Sequence, residues 1–383
     1  MNQVLQPTSP TDIRSAYVHV PFCRHRCGYC NFTVVAKRDD LIETYLTAIE
    51  KEISGLKSPQ PVDTLFLGGG TPTHLSPSQL ERFLALLLQW LPLRDGAEFS
   101  VEANPEDIDP DRIRVLADAG VNRISLGVQS FRDPKLSVLE RSHRSEDVER
   151  VVELIRNNIH SLSLDLIFGT PGETLDDWQY DLQRTFALCP DHLSTYGLTY
   201  EQGTRFHVRR DRNEIHQLPE ELERQMYELA IDHAERHGFE HYEVSNFAQS
   251  GHRCRHNQNY WRCGQFYGFG PGASAFMNGV RQSNHRSTTT WLKRVLSDTS
   301  PVDERDELTA TELAHERIVF GLRMLEGIRT DHFESLVGHN VEEFVGEPLQ
   351  WLLGEGLLQQ TADTLRLTRK GLLVSDSIWP HLL

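Results

Sequence analysis

The first 200 residues repeat one unit, a strand followed by a loop and an amphipathic helical stretch, and this repeat limits the chain to parallel-sheet architectures. Candidate strands are SAYVHVPF, DTLFLGGG, EFSVEANP, NRISLGVQS, SLSLDLIFG and HLSTYGLTY, each closed by glycine, proline or polar residues that suit a turn. Helical patterns such as DLIETYLTAIEKEISGL and SPSQLERFLALLLQWL lie between them, the second opened by Ser76 as N-cap and Pro77 at the first helical position. Right-handed βαβ units follow from this order. Six of them fit a partial, open (β/α)6 barrel, and periodicity alone leaves a doubly wound sheet open as well. In either fold the functional loops gather at the C-terminal ends of the strands.

The unusual residues follow that rule. Three cysteines come after the first strand, Gly68-Gly69-Gly70-Thr71 after the second, and Glu102 with Asn104 closes the third. Gln129 closes the fourth strand and Asp165 lies late in the fifth, where a carboxylate in an apolar strand is costly without a partner. Beyond residue 200 the pattern changes to a long polar helical stretch, 218 to 238, and then a short strand, HYEVSNF. The segment GHRCRHNQNYWRCGQFYGFGPGASAF has neither period and reads as an ordered loop. The last 80 or so residues read as helices and then a hairpin turning near Ala362-Asp363, a small α+β winged-helix-like domain. Residues 301–383 carry 15 acidic and 7 basic side chains, which argues against the DNA binding that such a domain often serves.

The formal charge of −16 argues in the same way against a broad nucleic-acid surface. The opening MNQVLQPTSPTD lacks the basic and apolar regions of a signal peptide, and FLALLLQWL at 83–91 is too short to span a bilayer. The expectation is a cytoplasmic protein with no integral membrane segment, in which clustered cysteines serve metals or redox chemistry rather than disulfides. Cys23, Cys27 and Cys30 have the spacing C-x3-C-x2-C, and no fourth ligand for a closed zinc site stands nearby. His25 falls inside the first gap, an awkward place for a tetrahedral ligand. A four-iron cluster accounts for three thiolates better, because its fourth iron stays open to a substrate or cofactor.

C-x3-C-x2-C after the first strand of a βα repeat, with Tyr29 before the last cysteine, resembles the signature of radical S-adenosylmethionine (SAM) enzymes. The resemblance implies a [4Fe-4S] cluster on Cys23, Cys27 and Cys30, SAM chelated to its open iron, and an external electron donor. Across nearly the whole chain, YVHVPFC, GGGTPT, VEANP, NRISLGVQSF, LERSHR, LDLIFGTPGET and CRHNQNYW resemble, in order, the oxygen-independent coproporphyrinogen III oxidase-like group, which includes the dehydrogenases and the HemW branch. That similarity implies that Tyr17 and Tyr29 line the SAM pocket, and that Gly69, Gly70 and Thr71 let the backbone approach SAM. It further implies polar contacts to SAM from Glu102, Gln129, Arg141 and Asp165, with Thr199 a looser match. From the residues alone, Arg141 and His143 in ERSHRSED read better as a solvated face.

Two departures separate this chain from the decarboxylating members. Asn31-Phe32 follows Cys30 where they carry another cysteine, and 22 residues precede Cys23 where they have a longer arm. HNQNYW, 256–261, matches the HNxxYW pattern of the other branch, whose members are regarded as heme chaperones that deliver heme to respiratory-chain apo-proteins. This implies His256 as a heme contact, Tyr260 and Trp261 as porphyrin packing, and Arg253 and Arg255 as propionate partners. The alternative for His256 is a histidine satisfied by hydrogen bonds in a loop that packs two domains together. The division expected is 1–245 for the radical SAM core, 246–300 for a connecting segment and 301–383 for the C-terminal domain. Three functions remain at this level: a heme chaperone, a coproporphyrinogen III dehydrogenase, and a zinc-stabilised interaction protein. The sequence is compatible with a homodimer through the cluster region.

Overall fold

The computed structural model describes residues 13–383, so the opening segment read for a signal peptide and most of the short arm lie outside it. Six parallel strands form the centre of one sheet: β1 (Ser15–Val20), β2 (Val62–Gly69), β3 (Leu93–Ala103), β4 (Arg123–Gln129), β5 (Ser161–Phe168) and β6 (His192–Gly197). They lie side by side in chain order, with Ala16 opposite Leu65 and Val18 opposite Leu67 at the start of the series. Helices cover the outer face, so strands such as β5, SLSLDLIF, are buried nearly throughout rather than alternating. The sheet is open, a partial barrel rather than a closed one or a doubly wound layer.

The helices start where side chains can cap them. Ser76 accepts from the Gln79 amide and Gln79 reaches back to the Ser76 amide, with Pro77 opening the Pro77–Trp90 helix. Helix Ile42–Ser54 packs its apolar stripe, including Tyr45, Ile49 and Ile53, into the core.

The region beyond residue 239 departs from the sequence expectation. HYEVSNF is a hairpin of two strands, β7 (Glu240–Glu243) and β8 (Asn246–Ala248), which adds to β6 antiparallel. The expected loop contains a helix, Arg255–Trp261, and a strand, β9 (Tyr267–Phe269), that pairs parallel with β1 at the opposite edge. Neither element has enough turns to show a period, and both are held by distant partners. The Glu98 carboxylate on β3 accepts from the amides of Arg255 (2.9 Å) and His256 (3.0 Å) at the helix start. Glu52 in the first long helix accepts from the Gly270 amide (2.7 Å), Asn284 (2.7 Å) and the Trp291 indole (3.3 Å). This segment therefore runs from the β6 side of the sheet to the β1 side.

At the C-terminal end, helices Ala310–Arg323, Thr330–Val337 and Val341–Gly354 pack on a three-stranded sheet whose hairpin joins Leu358–Gln360 to Thr364–Leu367. The hairpin turn falls where Ala362-Asp363 suggested. Among the described residues, no helix is long and apolar enough to cross a membrane.

Candidate functional site

The three thiols lie on the loop after β1, and the ends of the next strands aim polar groups at two of them. Thr71 Oγ1 donates to Cys23 Sγ at 3.5 Å and accepts from Asn104 Nδ2 at 2.7 Å. Arg141 Nη2 donates to Asn104 Oδ1 (2.6 Å) and to the Gly127 carbonyl (2.9 Å), while its Nη1 points at Cys27 Sγ, 3.7 Å away. One chain of hydrogen bonds thus runs from Cys23 through Thr71, Asn104 and Arg141 to Cys27. A guanidinium and a hydroxyl directed at sulfur suit thiolates. Without a ligand, burial pushes the Cys23 thiol up to about 12, against the Thr71 hydrogen bond, and raises Cys30 too. Among the described residues, no three His, Cys, Asp or Glu side chains gather tightly enough to hold a metal ion, so the zinc reading has no assembled ligand set. A cluster spreads its ligands over several irons and does not need the thiols to meet at one point.

Arg141 is part of this network rather than of a solvated face, and His143 is buried with Nε2 on the Val128 carbonyl at 3.0 Å. The sequence pattern ERSHRSED hid this because the chain is held inward by distant residues: a short helix at 133–138 and the buried trio Lys135, Glu173 and Asp181. Asp181 accepts from Ser130 Oγ and the Phe131 amide, directly after Gln129, whose φ of 63° turns the chain out of β4. Gln129 Oε1 is buried without a partner.

A cavity of about 700 Å³ opens on the inner side of the sheet, within the usual size of a cofactor pocket. Tyr17, Gly69, Glu102 and Asp165 line it from the strands, Asn31 and Phe32 from the cluster loop, and His256, Tyr260 and Trp261 from the connecting helix. Cys27 and Cys30 border a separate recess of about 300 Å³ with Gly28, Thr204 and Arg205. Tyr29 packs edge-on against Phe206 beside that recess, whereas Thr199 is exposed beyond β6. The expected SAM residues therefore fall into two neighbouring sets: Tyr17, Gly69, Glu102 and Asp165 on the cavity, and Thr71 and Arg141 at the thiols, with Gln129 beside Gly127.

Burial pushes Glu102 up to about 7, opposed by the hydrogen bond from the Gly69 amide (2.9 Å) and reinforced by the Asp165 charge. Asp165 has the partners its position demands, accepting from Ser125 at 2.9 Å and Ser163 at 3.2 Å; burial still raises its pKa. The glycines are also required by the packing of the protein itself. A Cβ on Gly69 would lie 2.1 Å from the His19 ring, one on Gly70 2.5 Å from the Val20 carbonyl, and one on Gly68 2.7 Å from the Glu102 carboxyl carbon. Their missing side chains leave room for these protein groups.

His256 is 1% exposed and stacks on Phe66. Its Nδ1 pairs with Thr64 Oγ1 at 2.8 Å and its Nε2 with Tyr260 Oη at 2.7 Å, while burial pushes its pKa down to about 3, so the ring is neutral. Arg253 and Arg255 do not line the cavity. Arg253 is paired with Glu240 and Glu326, and Arg255 donates to the Gly96 carbonyl at 2.6 Å, which corrects their assignment as propionate partners. Sequence reasoning missed Glu98, the anchor of the His256 helix, because its partners lie more than 150 residues later.

Comparison with known proteins gives concordant matches. The radical SAM superfamily model matches residues 17–184 and the HemN C-terminal domain model residues 308–374. The heme chaperone HemW of Bacillus subtilis (strain 168) is 35% identical over 96% of this chain and 98% of its own length. The mitochondrial radical S-adenosyl methionine domain-containing protein 1 of Danio rerio is 34% identical over 96% of this chain and 86% of its own length. The structure of Escherichia coli coproporphyrinogen III oxidase (HemN), a radical SAM enzyme, superposes with a TM-score of 0.86 at 23% identity, covering 98% of this chain and 91% of that one, a likeness of fold.

Proposed function

The chain belongs to the radical SAM superfamily and within it to the HemW family, and from that membership we propose that it binds a [4Fe-4S] cluster on Cys23, Cys27 and Cys30, SAM beside it, and heme in the large cavity, as a heme chaperone for respiratory-chain apo-proteins. The observation that carries this reading is a single cavity bordered at one end by the cluster loop and Glu102, and at the other by the aromatic wall of HNQNYW. When bound and reduced, such a cluster would supply the one electron needed for reductive cleavage of the SAM sulfonium. The chain's own residues bind and orient. Arg141 and Thr71 direct donors at the sulfurs, Glu102 and Asp165 offer acceptors to hydroxyl and ammonium groups, and the apolar walls keep water out.

Glu102 makes SAM binding pH-dependent. Its carboxyl titrates near 7, and the ionised form is the better acceptor, so SAM affinity rises with pH through that value. The expected loss between pH 8 and pH 6 is up to about tenfold by calorimetry at constant ionic strength, and Glu102→Gln flattens the profile. The same raised pKa has the opposite effect on the unliganded fold: Glu102 contributes stability below the unfolded value of about 4.3 that is lost as pH rises through 7.

The role of His256 is tested through Tyr260. Iron ligation by Nε2 requires the Tyr260 hydroxyl to move away, so Tyr260→Phe frees that nitrogen. Heme titration followed by absorbance then gives a sharper ligated spectrum and tighter binding in Tyr260→Phe, and loss of both in His256→Ala. An unchanged spectrum in both variants removes His256 as a ligand.

A further inference from the structure

The far corner of the large cavity, where the β7–β8 hairpin meets the end of the Ala310–Arg323 helix, contains polar groups whose hydrogen bonds the protein leaves unmade. The backbone is tightly stitched there, with the Val244 amide on the Arg323 carbonyl (3.1 Å) and the Leu325 amide on the Tyr242 carbonyl (3.0 Å). Arg323 stacks its guanidinium over the Trp261 indole, 4.4 Å from the ring centroid. Its Nε is buried with no acceptor, and Trp261 Nε1 is buried with none either. Other arginines on the cavity wall are occupied: Arg281 pairs bidentately with Glu316 (2.6 and 2.8 Å), Arg123 donates to the His252 carbonyl (3.1 Å), and Arg286 donates to the Asn31 carbonyl. Among the described residues, no carboxylate lies within ion-pair distance of Arg323. A buried donor without a partner is costly, more so when charged, so two of them facing one cavity mark a place for an acceptor that no side chain of the corner occupies.

We propose that this corner binds a carboxylate of the cavity's ligand through Arg323 and Trp261 Nε1, while the ligand's apolar body lies against the aromatic wall. Glu243 faces the same corner; burial raises its carboxyl, against the charge of Arg323 and the hydrogen bonds that Oε1 accepts from Asn246 Nδ2 and the Ser245 amide. Oε2 and Asn246 Oδ1 are themselves without partners. Insofar as the ligand is heme, the proposal rests on the chaperone reading, and the carboxylate is one propionate. The two sites for which arginines were first suggested, Arg253 and Arg255, are replaced by one that reaches the cavity from the C-terminal domain.

The test uses the anaerobically reconstituted full chain, titrated with heme and heme dimethyl ester by absorbance and with pyrenebutyrate and its methyl ester by fluorescence. Wild type is expected to favour each acid over its ester by about tenfold or more, as a charge-assisted pair predicts. Arg323→Met, which keeps the stem on Trp261, loses that preference and binds the esters as wild type does; Trp261→Phe loses part of it. Equal weakening of acid and ester in Arg323→Met, or no effect on either, overturns the proposal. If heme fails to bind wild type while pyrenebutyrate shows the Arg323-dependent preference, the heme reading falls and the carboxylate site stands. If heme and its diester bind equally well and pyrenebutyrate shows no preference, the reverse holds.

Discussion

Anaerobic reconstitution of Cys27→Ala is expected to leave iron and sulfide near background, because two thiolates remain and the guanidinium of Arg141 loses the sulfur it faces. Arg141→Met separates ligation from support. All three thiols stay, but Asn104 loses its donor, the Gly127 carbonyl is released, and Cys27 loses the guanidinium directed at its sulfur. Loss of such an outer contact typically lowers metal affinity by about 10–100-fold. Iron and sulfide analysis after a chelator challenge reads the difference: wild type retains its cluster, Arg141→Met loses it in the challenge, and Cys27→Ala holds none at the outset. Retention by Arg141→Met equal to wild type would show that the network serves folding alone.

Lys135→Met is expected to be the most destabilising single change away from the thiols. Lys135 Nζ lies 2.5 Å from Glu173 and 3.0 Å from Asp181, and all three side chains are at least 95% buried. Methionine keeps the stem over Trp178 but leaves two buried carboxylates without a counter-charge, a loss on the order of 3–5 kcal/mol. Denaturant unfolding of the cluster-free protein measures it directly. Asp181 also holds Ser130 and the Phe131 amide, and the Arg141 amide bonds the Leu136 carbonyl, so the damage reaches the thiol network. The double change Lys135→Met with Asp181→Asn restores part of the stability by removing one of the stranded charges. No recovery would indicate that lost packing, rather than unpaired charge, dominates.

The sheet was readable because its strands are largely buried and the first five lead to residues with chemistry, from Cys23 to Asp165. Local capping was readable as well: Ser76, Pro77 and Gln79 are adjacent in the chain and act on one another. What could not be read is whatever depends on distant partners. The Arg255–Trp261 helix is too short to show a period and is anchored by Glu98, while β9 exists because β1 offers it an edge. ERSHR looks solvated only until Lys135 and Asp181 are seen to fold it inward. The glycines after β2 were noticed for the right reason, crowding, but the crowding comes from His19, the Val20 carbonyl and Glu102. Arg323 carries no local signal at all, since its importance lies in what its neighbours fail to offer it.

The central claim, that the cavity receives a finished heme rather than a porphyrinogen to be decarboxylated, is tested most directly by one anaerobic incubation. Reconstituted protein with SAM and a reductant is given coproporphyrinogen III in one arm and heme in the other, and the tetrapyrroles are separated and quantified. The account predicts a stable complex with heme and no protoporphyrinogen above the protein-free control. Protoporphyrinogen formed over repeated turnovers, with heme left unbound, would contradict it.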